Sequence, residues 1–155
     1  MSRFFISGHI DLSKNEFLMH YAAALEAAVG CPESTFVVGD ADGADTYAQR
    51  FLAQRIPRGN IIVYHMHEKP RNNPCHLPTR GGFRNHEAKD AAMTLASDSD
   101  ILWFRSEEEQ KLLYGACYRK RTSGTEKNYI RRRNIHKAKS VSVLCSETFY
   151  IDAMY

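Results

Sequence analysis

FVVGDADGAD, Phe36 to Asp45, carries the main signal for the fold class. Phe36, Val37 and Val38 are aromatic or β-branched and leave no alternate polar position, the pattern of a strand covered on both faces. Gly39 and Gly43 then permit positive φ or a close backbone approach, and Asp40, Asp42 and Asp45 are turn formers and helix N-caps. A buried strand therefore runs into a glycine-punctuated acidic turn and out into a helix. The turn matches neither a Walker loop nor GxGxxG, so alone it predicts a connection rather than a ligand.

Outward from this stretch the same alternation repeats. Arg3 to Ser7 predicts strand one, ended by the small turn Ser7-Gly8-His9, and Lys14 to Val29 places apolar residues at helical spacing until Gly30 and Pro32 stop it. After strand two a helix is expected from about Ala44 to Ile56, and Ile61, Ile62 and Val63 form strand three. His65 to Arg80 shows no period and reads as a long loop, a class that is usually functional or mobile. Then come a helix from about Gly82 to Ala96, strand four at Asp100 to Phe104 and a short inserted helix at Glu107 to Tyr118. A helix opened by Ser123-Gly124-Thr125 follows, and Ser140 to Leu144 is read as strand five. Strict alternation with right-handed crossovers implies the α/β class. The expectation is a single Rossmann-like three-layer domain over residues 1–155, with a five-stranded parallel sheet in the order 3-2-1-4-5. Ligands of such sheets bind at the carboxyl ends of the strands, near the topological switch point.

The composition fits one compact domain: 155 residues, 43% hydrophobic and 25% charged. No apolar run is long enough to span a bilayer, and the N-terminus enters a strand without a charged leader, so a soluble, cytoplasmic protein without a membrane partner is expected. The cysteines at 31, 75, 117 and 145 form no CxxC, which signals neither a disulfide framework nor a thiolate zinc site. His65, His67, Cys75 and His76 share one loop, but their spacing matches no established zinc pattern; no metal and no cofactor are expected. Charge is unevenly placed. Arg119 to Lys139 carries +8 against +3 for the whole chain, leaving about −5 elsewhere. Such a segment is a solvated helix face or a seat for an anionic ligand.

Two further segments carry chemistry like that of the opening turn. Gly82 to Glu87 begins a helix, where free N–H groups and partial positive charge favour anions and where Arg84 would reinforce them. Glu87, one turn on, is either an acid of the site or a first-turn capping partner. Ser123-Gly124-Thr125 offers hydroxyls, a glycine and free N–H groups, either as a phosphate cradle or as a plain cap. Cleavage of a glycosidic bond would need a carboxylate to steady an oxocarbenium-like centre or activate water, and Asp40, Asp45, Glu87 and Glu126 are the acids on this rim. Asp40 or Asp45 would equally suit ribose hydroxyls.

In that order, FVVGDADGADTYAQRFLA (36–53), FRNHEAKDAAMTLASDSDILWF (83–104) and SGTEKNYIRR (123–132) resemble the YspA-like branch of the SLOG superfamily of Rossmann-like nucleotide-binding proteins. The likeness extends from about Arg3 to Leu144. That superfamily also holds the Lonely Guy phosphoribohydrolases, which cleave the base from a nucleoside monophosphate, and DNA-processing proteins of single-stranded DNA. Ser123-Gly124-Thr125 fits the glycine-threonine turn of the Lonely Guy enzymes, but Asn128 stands where they have Glu and Ala88 where they have Arg. Arg84 and Asn85 fit instead the arginine-asparagine pair of the YspA-like branch.

The resemblance implies a nucleotide or nucleotide-derived small molecule along the carboxyl rim. It is held by Ser7, Gly8, His9, Gly39, Gly43, Arg84, Asn85, Ser123, Gly124 and Thr125. Cleavage or transfer at its N-glycosidic bond by Asp40, Asp45 or Glu87 is the expected chemistry. A module that senses or sequesters a nucleotide without reaction is the alternative. A third expectation is single-stranded nucleic-acid binding through residues 119–139, dependent on Arg131, Arg132 and Arg133 and on salt. Relatives pair through helices, so a homo-oligomer is expected, and the apolar end Phe149-Tyr150-Ile151 and Met154-Tyr155 would cover a neighbour or pack back on its own sheet.

Overall fold

Why the sheet is buried on both faces follows from how its side chains alternate. The structure, a computed structural model, describes residues 1–145. β1 (Arg3–Ser7) pairs in parallel with β2 (Thr35–Val38), Phe5 beside Val37 and Ile6 beside Val38. Ile6, Phe36, Val38, Ile61 and Val63 point to one face, where they meet Phe17, Tyr21 and Leu25 of α1 (Lys14–Val29) and Ala44, Ala48 and Leu52 of α2 (Ala44–Ala53). Phe5, Val37 and Tyr64 point to the other, against Met93 of α3 (His86–Leu95). Hydrophobic burial on both sides of the same strands fixes a three-layer, Rossmann-like α/β fold.

β3 (Ile61–Met66), β4 (Thr79–Phe83) and β5 (Ser99–Leu102) complete a five-stranded, all-parallel sheet in the order β4-β3-β2-β1-β5. The chain steps outward from β1 to β4 along one side and then returns to place β5 on the other side of β1. The switch point therefore lies at β1. α4 (Glu107–Tyr114) follows β5, and α5 (Gly124–Cys145) packs on α3 and β5.

The sheet is parallel and five-stranded as expected, but one of its strands is a different one. Ser140 to Leu144, expected as strand five, continues α5 to Cys145. Its β-branched residues suggested a strand, but no glycine or proline interrupts the helix before them, and an established helix propagates cheaply. In its place stands β4, Thr79–Phe83, inside the region expected as loop and helix start, and it adds to the β3 edge: Val63 pairs with Thr79 and Met66 with Phe83. Gly81 makes this possible. A Cβ there would lie 2.2 Å from the ring of His65, which β3 packs directly beneath it. The loop thus shrinks to residues 67–78, and α3 begins at His86, capped by Asn85. Phe149-Tyr150-Ile151 and Met154-Tyr155 lie outside the described residues. Among those described, no helix is long and apolar enough to cross a membrane.

Candidate functional site

Three glycines bring the strand ends and helix starts together. A Cβ on Gly8 would lie 2.3 Å from both Ala44 Cβ and Tyr21 Oη, so only glycine lets β1 leave the sheet against α2. Through that opening the Tyr21 hydroxyl donates to the Ser7 carbonyl at 2.7 Å and accepts from the Trp103 amide at 3.1 Å, clamping the ends of β1 and β5. Gly43, at φ +71°, allows the Ala44 N–H to reach the His9 carbonyl at 3.1 Å. Gly39 leaves bare backbone where a Cβ would stand 2.3 Å from Asp45 Oδ2 and 3.4 Å from Lys89 Nζ.

These approaches frame a cavity of about 420 Å³ at the carboxyl ends of β1 and β2. Its volume is that of a small-molecule site. β1 and its turn contribute Ser7, Gly8 and His9; the β2–α2 turn contributes Gly39 and Asp45; α3 contributes His86, Lys89 and Asp90. The far side is Arg121, Thr122 and the first turn of α5, Ser123, Gly124 and Thr125. Ser123 Oγ accepts from the Glu126 N–H at 3.1 Å, and the Ser123 carbonyl takes the first intrahelical bond, from Lys127, at 3.0 Å. The N–H groups of Gly124 and Thr125 precede that bond and have no intrahelical acceptor. One end of the cavity is thus a helix N-terminus with Arg121 beside it, suited to an anion.

The other end holds carboxyl groups. Asp45 is 9% exposed and accepts from the Ala41 N–H at 3.1 Å. Burial pushes its carboxyl up to about 7 against the opposing pull of Lys89. Asp40 behaves oppositely. Burial would raise it too, but the hydrogen bonds and charge of Arg71 prevail and hold it below the usual carboxylate range. Arg71 reaches one oxygen with its amide N–H at 2.8 Å and the other with its guanidinium at 2.8 Å. Burial and the charge of Arg105 push the His9 imidazole below its usual value. Its Nε2 accepts from the Arg105 amide at 3.0 Å, which leaves the ring proton on Nδ1. Arg105 itself is buried between Asp11 and Glu16, and the Tyr114 hydroxyl of α4 donates to Asp11.

Of the residues singled out in the sequence, Ser7, Gly8, His9, Gly39, Asp45, Ser123, Gly124 and Thr125 meet around this one cavity. Gly43 stands behind its wall, and Asp40 is engaged by Arg71. Arg84, Asn85 and Glu87 are exposed and outside the lining. Asn85 caps α3 through Oδ1, accepting from the Ala88 N–H at 2.8 Å. The lining also contains Arg121, from the basic stretch already noted as a seat for an anion, and Arg71, Lys89 and Asp90, which the sequence did not bring forward as site residues. Helical spacing offered one signal: Lys89 lies four residues before the buried Met93 and so on the inward stripe of α3.

Asn128 sits immediately behind the site, 2% exposed. Its amide nitrogen donates to Ser7 Oγ at 2.9 Å and to Asp90 Oδ2 at 3.2 Å. Of the basic stretch, Arg132 is buried and bound to Asp100 at 2.7 Å and to the Ser97 carbonyl at 2.9 Å, whereas Arg133 is exposed beside Tyr129. Among the described residues no group of three or more His, Cys, Asp or Glu is placed to hold a metal ion. Comparison of the chain with known families, with curated proteins and with solved structures gives no match.

Proposed function

We propose that the cavity binds a nucleotide or nucleotide-derived small molecule and acts at its N-glycosidic bond by cleavage or transfer. The observation that carries the reading is the polarity of one cavity: the first turn of α5 and Arg121 line one part of it, and the buried carboxyl of Asp45 lines another. A 5′-phosphate belongs at the first turn of α5, which lines the cavity through Ser123, Gly124 and Thr125 with Arg121 beside it. The sugar then extends toward Gly39 and Asp45. A carboxyl that titrates near neutral pH is matched to proton transfer. As its carboxylate, Asp45 would take a proton from the attacking water or steady positive charge on the sugar while the base departs.

A second reading, binding without reaction, draws on Asn128. Its carboxamide is committed to Ser7 and Asp90 and brings no second carboxylate to the site. The two readings separate in one assay. Purified protein is incubated with nucleoside mono-, di- and triphosphates and dinucleotides, and released base is followed by chromatography and mass spectrometry. Base release that disappears in D45N supports the glycosidase. Intact nucleotide retained by the protein supports the binding module. Neither release nor retention sinks both.

A further inference from the structure

Lys89 has an unusual environment for an ammonium. Its side chain is 6% exposed and lines the cavity, and its ion-pair partner is Asp90, whose Oδ1 lies 3.6 Å from Nζ, longer than a hydrogen bond. An ammonium has three N–H donors, and a contact of that length leaves them able to bond to a ligand in the cavity. The group faces the cavity beside Gly39, on the same bare backbone that receives Asp45 Oδ2. Asp90 completes the arrangement. One of its oxygens takes the Asn128 amide, and the other is the one nearest to Lys89.

The chemistry of a ligand suited to this mixture follows from its donors and acceptors. A phosphate would satisfy the ammonium but would meet Asp45 and Asp90, the two acids of the lining, in a confined space. A primary amide can bond to all three groups, but it brings one acceptor oxygen to an ammonium with three donors. Adjacent hydroxyls do better, because each both donates and accepts: their oxygens take the Lys89 N–H groups and their hydrogens go to the carboxyl oxygens. We propose that Lys89, Asp45 and Asp90 form a subsite for the vicinal diol of a ribose, so that the cavity takes ribonucleotides in preference to 2′-deoxyribonucleotides. This rests on the nucleotide reading above and adds its sugar specificity. Lys89 contacts the ligand, and Asn128 acts through Asp90 as a positioning residue.

The test compares affinities of the four ribonucleoside 5′-monophosphates with their 2′-deoxy counterparts, and of ribose 5-phosphate with 2-deoxyribose 5-phosphate, by calorimetry. A site built to bond a hydroxyl penalises its loss, so wild-type protein should favour the ribo form by about tenfold or more. In K89M and D90N, checked for cooperative melting, that ratio should fall toward unity. The ratio is the readout, because a merely structural role would weaken both sugars alike. Equal binding of ribo and deoxy ligands by wild-type protein overturns the diol subsite while leaving the nucleotide reading intact. A ratio unchanged in both variants overturns the assignment of these residues. Binding of neither nucleotide nor sugar phosphate overturns the nucleotide reading and this inference together.

Discussion

The amide nitrogen of Asn128 lies 2.9 Å from Ser7 Oγ, joining the first turns of α5 to the end of β1. The same nitrogen reaches Asp90, and the Asn128 oxygen accepts from Arg131 at 2.5 Å, so three elements share one buried carboxamide. N128D keeps the shape but sets a carboxylate against Asp90. We expect it to cost about 1–3 kcal/mol near neutral pH. Much of the loss should return in acid, where the carboxylates protonate. Urea unfolding at two pH values measures it; a pH-independent deficit would contradict the repulsion.

Asp45 gives stability a pH dependence of definite sign. Its folded value, about 7, lies above its ordinary 3.8, so the folded chain binds the proton more tightly than the unfolded one. The contribution is full below about pH 4 and is lost as pH rises toward 7. Asp40, held low by Arg71, works in the opposite sense, and its contribution is lost only in acid, below its ordinary 3.8. D45N should therefore flatten the stability profile between about pH 4 and 7 and leave the acid limb unchanged. An unaltered slope in denaturant titrations across that window would refute the assignment.

Gly39 and Gly59 should separate sharply on substitution by alanine. At Gly39 the new Cβ would lie 2.3 Å from Asp45 Oδ2, while at Gly59 nothing lies within 4 Å. G39A should lose about 1–3 kcal/mol and displace the Asp45 carboxyl from the cavity. G59A should stay within about 0.5 kcal/mol of wild type. Thermal melts of the pair, with nucleotide retention by G39A, provide the check. Similar stability of the two would mean that Asp45 moves aside freely.

Arg132 and Arg133 are neighbours with different duties. Removing the Arg132 side chain strands Asp100, whose side chain is 7% exposed and whose Oδ2 already lacks a hydrogen-bond partner among the described residues. R132M should cost about 3–5 kcal/mol, and adding D100N should recover part of it. R133A, at an exposed position, should change stability by less than about 0.5 kcal/mol. Denaturation of the three variants decides the matter. If R132M is as mild as R133A, the buried pair is not holding α5 to β5.

How far the sequence could be read depended on what each element buries. FVVGDADGAD was legible because its strand is apolar on both faces and its turn needs glycine at two places for close approach. β4 was not, because Thr79-Arg80-Gly81-Gly82-Phe83 is an exposed edge with almost no apolar residue to count, and its glycines argue against a strand unless one knows that His65 lies beneath. Ser140 to Leu144 misled for the converse reason: β-branched residues resemble a strand wherever a helix happens to carry them. Half of the cavity was visible through Ser7-Gly8-His9, Gly39, Asp45 and Ser123-Gly124-Thr125. Arg71 escaped notice because a loop arginine shows its importance only once Asp40 is seen between its amide and its guanidinium.

That grip of Arg71 on Asp40 bears on how its segment is held. Residues 67–78 form an irregular crossing between two strands, yet Asn72 and Asn73 add bonds to the Asp40 and Leu77 carbonyls at 3.0 and 2.9 Å. Bonds to the rest of the fold hold the segment, and Arg71 is its one residue in the cavity lining. The order of these dozen residues is therefore written into the fold's own contacts, and the entropy of fixing them is a cost of folding.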